Sequence, residues 1–209
     1  MSKAVFIYLD GPDGVGKGTL VQNILDNWDV DANGPVKSFF DPGIEQGHPM
    51  GVIRSLVKTT QMQPETELLL FQACRVELWA NIFDALNMGI NVILDRGYLS
   101  TQVYQGEMKG LKDLVYIFSD IFQLEPPDAT FVLNAPFEVL TDRLEKRFAT
   151  DDPNIDKFKS NEFFRRRVWA EYGKLLKDDP SLIELDSTGT PEDTLEEFFR
   201  ILRMKNMYK

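Results

Sequence analysis

An apolar run, Ala4 to Leu9, passes directly into Gly11-Pro12-Asp13-Gly14-Val15-Gly16-Lys17-Gly18-Thr19 and then into an amphipathic stretch. No other segment narrows the possible folds as much. Glycines in such a turn let consecutive backbone N–H groups point inward, and a helix opening behind them adds the positive end of its dipole. That concavity suits the oxygens of a nucleoside polyphosphate. Gly11, Asp13, Gly14, Val15, Gly16, Lys17, Gly18 and Thr19 are therefore the expected ATP contacts, with Lys17 reaching the β- and γ-phosphates. In the usual motif a Ser or Thr follows the lysine and ligates Mg²⁺. Here Gly18 intervenes, which leaves Thr19, acting through water, as a candidate. A glycine-rich turn with a solvent-facing lysine is the competing reading, and the strand-turn-helix context weighs against it.

At 209 residues, 43% hydrophobic and 27% charged, the chain is long enough for one well-buried domain and short for two. Residues 1–209 read as a single domain without linker, repeat or low-complexity tract. The lone Cys74 excludes an intrachain disulfide framework, and the lone His48 leaves no Cys/His zinc cluster. The apolar runs are far shorter than a bilayer span and the N-terminus reads as a core strand, so a cytoplasmic location without membrane contact is expected. A net charge of −10 opposes general attraction to nucleic acid or anionic membranes. An anionic small substrate must then meet local clusters of Arg and Lys.

Short runs rich in β-branched and aromatic residues recur at Val5 to Leu9, Val36 to Phe40, Asn91 to Leu94, Thr130 to Leu133 and Leu182 to Leu185. Helical patterns separate them, as in βαβ units around a parallel sheet. The periodic run Glu67 to Met88 stops at Gly89, Pro136 and Pro191 suit first helical turns, and Thr190 with Asp193 resembles a capping pair. Open sheets of this kind bind ligands at the carboxyl ends of their strands. Asp10 to Gly16, Asp41 to Gly43, Asp95 to Tyr98 and Ala135 should converge on one crevice.

Two further segments bear chemistry. Asp95-Arg96, where the third strand ends, places a carboxylate near a Mg²⁺-nucleotide and a guanidinium able to bind phosphate bidentately; a structural salt bridge is the alternative. In the helix beginning near Thr66, Phe71 and Arg75 share a face at a spacing of four. Arg75 stands in an otherwise apolar stretch, and a buried arginine needs an anionic partner. Arg165-Arg166-Arg167 reads as a solvated helix face.

With these residues assembled, the chain resembles thymidylate kinases of the P-loop nucleoside monophosphate kinase group, from about Ala4 to beyond Pro191. The resemblance rests on Gly-x-Asp-Gly-x-Gly-Lys, Leu-Phe-x-Ala-x-Arg and Asp-Arg-x-x-x-Ser-x-x-x-Tyr-Gln-Gly. It implies a three-layer α/β P-loop kinase fold: a parallel five-stranded sheet with helices on both faces and a mobile lid over about 143–160. It also implies ATP as donor, dTMP as acceptor and Mg²⁺ as cofactor, with Asp95 the metal-side carboxylate.

Position by position, the resemblance makes Asp13 the carboxylate that contacts the acceptor 3′-hydroxyl and Phe71 the ring that stacks on thymine. Arg75 and Arg96 match the arginines at the acceptor phosphate and pyrimidine. Thr101 faces the base, Tyr104 crowds the sugar 2′ position, and Ser100 and Gln105 belong to the same motif. Asp41 and Arg54 are further acceptor-site residues by the same comparison. In the lid, Lys157 stands where bacterial-type members carry a catalytic arginine, with Arg147 upstream as the competing candidate and Arg143 as a further ATP-binding residue. Members commonly dimerise, and the apolar faces around Leu68 to Trp79 are the candidate surface. A broader deoxynucleoside monophosphate kinase and a deoxynucleoside kinase are the neighbouring readings. A GTPase-type switch would share the loop, but no Asn-Lys-x-Asp signature accompanies it.

Overall fold

A computed structural model describes residues 3–43, 49–122, 126–148 and 161–209. The five β-branched runs form strands β1 (Phe6–Asp10), β2 (Val36–Phe40), β3 (Asn91–Asp95), β4 (Ala129–Asn134) and β5 (Ile183–Asp186). Between and after them lie α1 (Lys17–Asn27), α2 (Val30–Asn33), α3 (Pro49–Thr59), α4 (Pro64–Asn87), α5 (Tyr98–Thr101), α6 (Lys112–Phe122), α7 (Phe137–Phe148), α8 (Glu162–Asp178) and α9 (Pro191–Met204). A π-helical turn, Gln102–Glu107, continues α5.

All strand pairs are parallel, in the order β2-β3-β1-β4-β5. Leu9 pairs with Asp95, Asp10 with Val132 and Phe40 with Asp95, so the carboxyl ends of the three central strands and β2 finish side by side. The pleat sends alternate residues to opposite faces. Ile7, Leu9, Ile93, Phe131 and Leu133 pack with Leu20 and Ile24 of α1 and Phe198 and Leu202 of α9. Phe6, Tyr8, Val92 and Leu94 pack with Cys74, Leu78, Trp79 and Ile82 of α4, while Val132 meets Val103, Val168 and Tyr172. The result is the three-layer α/β arrangement expected from the sequence. Each fully buried Leu, Ile or Phe contributes about 1.5–3 kcal/mol.

The local signals act as their chemistry dictates. Pro64 opens α4, Glu65 and Glu67 occupy its first turn, and Gly89 at φ 77° ends the run. At α9, Thr190 Oγ1 accepts from Asp193 N–H at 3.1 Å while Asp193 Oδ2 accepts from Thr190 N–H at 2.9 Å, a capping box with Pro191 beside it. The first residues of the expected lid differ from expectation: Arg143 and Arg147 belong to α7. Lys157 and 149–160 lie outside the described residues.

Candidate active site

The turn after β1 needs its glycines for two separate reasons. Gly11 at φ 137° would place a Cβ 2.5 Å from the Leu133 carbonyl oxygen, and Gly14 at φ 85° would place one 2.7 Å from Leu144 Cγ. Left-handed backbone and lack of space both exclude other residues there. Gly16 at φ 100° then admits α1, whose first turn has neither a side-chain cap nor an acid. Its free N–H groups and dipole favour an anion.

Lys17 lies beneath this turn, 6% exposed, and its Nζ donates to the carbonyls of Gly11 at 2.7 Å and Pro12 at 2.9 Å. Burial, followed by the nearby Arg96 charge, pulls the ammonium down to about 8. A phosphate group would supply the negative charge that this buried cation meets only partly in Asp13, Asp95 and Asp10.

Asp13, Arg96 and Tyr104 form one cluster. Arg96 Nη2 donates to Asp13 Oδ1, Arg96 Nη1 to Ser100 Oγ at 3.1 Å, and Tyr104 Oη to Asp13 Oδ2 at 3.0 Å. The Arg96 guanidinium also sits 5.7 Å from the Tyr104 ring centre. Burial alone would raise the Asp13 carboxyl, but Arg96 and Lys17 outweigh it and hold it at about 2. Burial and the Asp13 charge push the Tyr104 phenol up, so it stays a donor. Tyr104 and Gln105 lie in the π-helical turn, a geometry concentrated at functional sites.

A second cluster surrounds Arg75, 5% exposed. Its Nε donates to Asp41 Oδ2 at 2.6 Å, Nη2 to Thr101 Oγ1 at 2.6 Å and Nη1 to Gln72 Oε1 at 3.2 Å. The anionic partner required by this arginine is thus supplied within the chain by Asp41. Burial pushes the Asp41 carboxyl up, with Arg75 pulling against it, and Asp41 Oδ1 has no hydrogen-bond partner. Gln105 donates to Glu67 Oε1 at 3.1 Å, and Lys109 pairs with the same oxygen.

Lys17, Asp13, Arg96, Tyr104, Arg75, Asp41, Thr101 and Gln105 line a single cavity of about 710 Å³ that also takes in Phe71, Ser100, Arg54 and Asp95, while Gln72, Glu67 and Lys109 stand behind its wall. Arg54 stacks 4.7 Å over Phe40. Asp95, 8% exposed, has an Oδ1 without a hydrogen-bond partner, and burial raises its carboxyl against the pull of Lys17 and Arg96. At the other end Arg143 Nη2 donates to Ser187 O at 2.7 Å, and Arg147, Arg165, Gly189, Thr190 and Pro191 complete the wall. Every residue expected to contact ATP, acceptor or metal within the described segments except Gly11 lines this cavity, and Gly11 shapes the turn beneath it; of the strand-end segments expected at the crevice, Asp10, Pro12, Gly43, Tyr98 and Ala135 lie off its wall.

Sequence reasoning passed over Gln72 and Glu67, placed Asp10 at the crevice without a role, and read Arg165 to Arg167 as a solvated face. Arg166 and Arg167 are exposed as read, 4.0 Å over Phe137 and 6.0 Å over Phe163, whereas the half-buried Arg165 enters the cavity. Helical spacing carried the missing signal, because Arg165 shares a face with the buried Val168 and Tyr172.

A phosphate-binding turn, a buried lysine and a facing arginine-carboxylate cluster at the carboxyl edge of a parallel sheet define a P-loop phosphotransferase. The thymidylate kinase family model matches residues 9–198. Thymidylate kinase of Buchnera aphidicola subsp. Baizongia pistaciae is 34% identical over 199 residues, 90% of this chain and 89% of the relative. That of Oenococcus oeni is 33% identical over 205 residues, covering 92% of each chain, and that of Finegoldia magna 29% over 208, covering 97% and 100%. The chain belongs to the thymidylate kinase family.

Proposed function

We propose that the cavity transfers the γ-phosphoryl group of ATP to the phosphate of dTMP, giving ADP and dTDP. The observation that carries the reading is the Asp13-Arg96-Tyr104 cluster facing Lys17 across the phosphate-binding turn. Lys17, the turn amides and the α1 N-terminus suit the donor phosphates. Arg96 suits the acceptor phosphate, and Phe71, Thr101 and Arg75 suit a pyrimidine. Tyr104, held by Asp13, stands against the sugar, where it leaves little room for a 2′-hydroxyl.

The attacking atom is an acceptor phosphate oxygen, already anionic, so no strong general base is needed. Catalysis of a loose phosphoryl transfer then reduces to in-line positioning and charge neutralisation. Arg147 and Arg165 join Lys17 and Arg96 as candidate neutralising groups, and Lys157 remains a candidate from outside the described residues. Arg143, anchored to the Ser187 carbonyl, suits the nucleoside end of ATP.

The residues fit Mg²⁺: the unsatisfied, buried Asp95 Oδ1 offers a hard oxygen, and Thr19 offers a hydroxyl through water. A Mg²⁺ held there would supply positive charge to neutralise the donor phosphates.

A single cytoplasmic domain is part of this reading, and no helix among the described residues is long and apolar enough to cross a membrane. So is a homodimer, with one revision to its surface. Leu68 and Trp79 point into the core, whereas Leu69, Val76 and Phe83, spaced by seven along α4, are 53%, 44% and 37% exposed. Steady-state ATP turnover with each nucleoside monophosphate and with thymidine tests the proposal. dTMP should give the highest kcat/KM, and equal turnover with thymidine would overturn the monophosphate assignment.

A further inference from the structure

At the carboxyl end of β1, the Asp10 side chain is wholly buried. Five donors converge on it. Oδ1 accepts from Gly11 N at 2.8 Å, Ser100 Oγ at 2.7 Å and Tyr172 Oη at 2.7 Å. Oδ2 accepts from Gly97 N at 3.2 Å and Ser100 N at 3.0 Å. They come from the phosphate-binding turn, from the segment after β3 and from α8. Neither Asp10 nor Tyr172 is among the residues that line the cavity.

We propose that Asp10 is a positioning residue that orients Arg96 through Ser100. The inference rests on Arg96 as the acceptor-phosphate arginine. An ionised carboxylate only accepts, so the Ser100 O–H must point at Asp10. The hydroxyl lone pairs then face Arg96 Nη1, 3.1 Å away, and Tyr172 Oη, 3.2 Å away. With its polarity fixed, Ser100 holds one edge of the guanidinium while Asp13 holds the other. The Arg96 backbone at φ 68° is an uncommon conformation for a non-glycine residue, which surrounding contacts must enforce. The two N–H bonds from Gly97 and Ser100 to Asp10 pin the chain immediately after it. Because Gly11 N–H meets the same carboxylate, the donor turn and the acceptor arginine share one anchor.

Asparagine cannot replace this group. Its amide nitrogen would face an N–H donor in either orientation, Gly11 on one side or Gly97 and Ser100 on the other. Asp10→Asn should therefore lower kcat/KM for dTMP by about 10²-fold, the scale of a displaced catalytic geometry. Thymidine, which lacks the phosphate, should keep its affinity within about twofold. Tyr172→Phe removes one Asp10 donor from behind the cavity and should lower kcat/KM for dTMP in the same direction by several-fold.

Ser100→Ala breaks the proposed link, so adding Tyr172→Phe to it should cost nothing further. Wild-type kinetics in both Tyr172→Phe and Ser100→Ala, fully additive losses, or equal weakening of dTMP and thymidine would overturn the proposal. If Asp10→Asn fails to fold, these two variants retain the carboxylate and decide the question. Arg96→Ala separates the two levels. Normal dTMP binding and turnover in Arg96→Ala would sink the acceptor-site reading itself. A collapse there, with normal Tyr172→Phe and Ser100→Ala, would sink only the role of Asp10.

Discussion

Replacing Arg75 by alanine would strand a buried charge. Asp41 is 4% exposed and its Oδ1 already has no hydrogen-bond partner, so loss of the guanidinium leaves its carboxylate without the cation that now meets Oδ2 at 2.6 Å. Removing one partner of a buried pair costs about 3–5 kcal/mol, or roughly 6–20 °C in Tm for a chain of this size. The sign of the pH dependence follows from Asp41. Burial already raises its pKa above 3.8, and removing Arg75 raises it further. The folded variant then holds a proton that the unfolded chain has released, so its stability falls as pH rises above about 4. Urea denaturation should show a smaller deficit against wild type near pH 5 than near pH 7.5, and Asp41→Asn in the same background should recover part of it. A loss below about 1 kcal/mol, equal at both pH values, would refute the stranded-charge argument. Calorimetry adds a functional arm. With Nε, Nη1 and Nη2 all donating within the chain and 5% of its surface exposed, Arg75 has little left to offer a phosphate, so Arg75→Ala should weaken dTMP and thymidine alike; loss confined to dTMP would place Arg75 at the phosphate.

Lys17→Ala should lower kcat on the order of 10²–10³-fold with dTMP affinity nearly intact, and near-normal turnover would contradict the donor assignment. Because the free enzyme's Lys17 titrates at about 8, kcat/KM for ATP should fall above that pH as the charge is lost. The fall in kcat should come at higher pH, since bound phosphates keep the ammonium protonated. Tyr104→Ala should narrow the preference for dTMP over its ribonucleotide, and an unchanged ratio of kcat/KM values would reduce the ring to packing. Gly97→Ala places a Cβ 2.9 Å from the Tyr8 ring, an overpacking cost of about 1–3 kcal/mol in chemical denaturation. Tyr8→Leu should relieve it, and no relief would locate the strain elsewhere.

The five strands and the phosphate-binding turn were legible because each depends on nearby residues. β-branched runs, Gly89 and the Thr190-Asp193 pair act within a few positions of themselves. Strand order and the π-helical turn at Gln102–Glu107 depend on distant contacts, so nothing local announced them. The Arg75 partner illustrates the same limit: the need for an anion was readable, but Asp41 lies 34 residues away on the chain. Asp10 was hidden because a carboxylate at a strand end gains its meaning only when Ser100 and Tyr172 arrive from other elements. The glycine at position 97 has a spatial reason, since Tyr8 of β1 fills the room a side chain would need. A tyrosine in a core strand opposite that glycine was the available clue.

The most direct test of the central claim is product analysis with ATP and dTMP, counting ADP and dTDP as they form. The account predicts one dTDP for each ADP, with little ADP formed when dTMP is absent, because the site is arranged to place two phosphate groups in line. ADP formation at the same rate with and without dTMP, or ADP without matching dTDP, would contradict it.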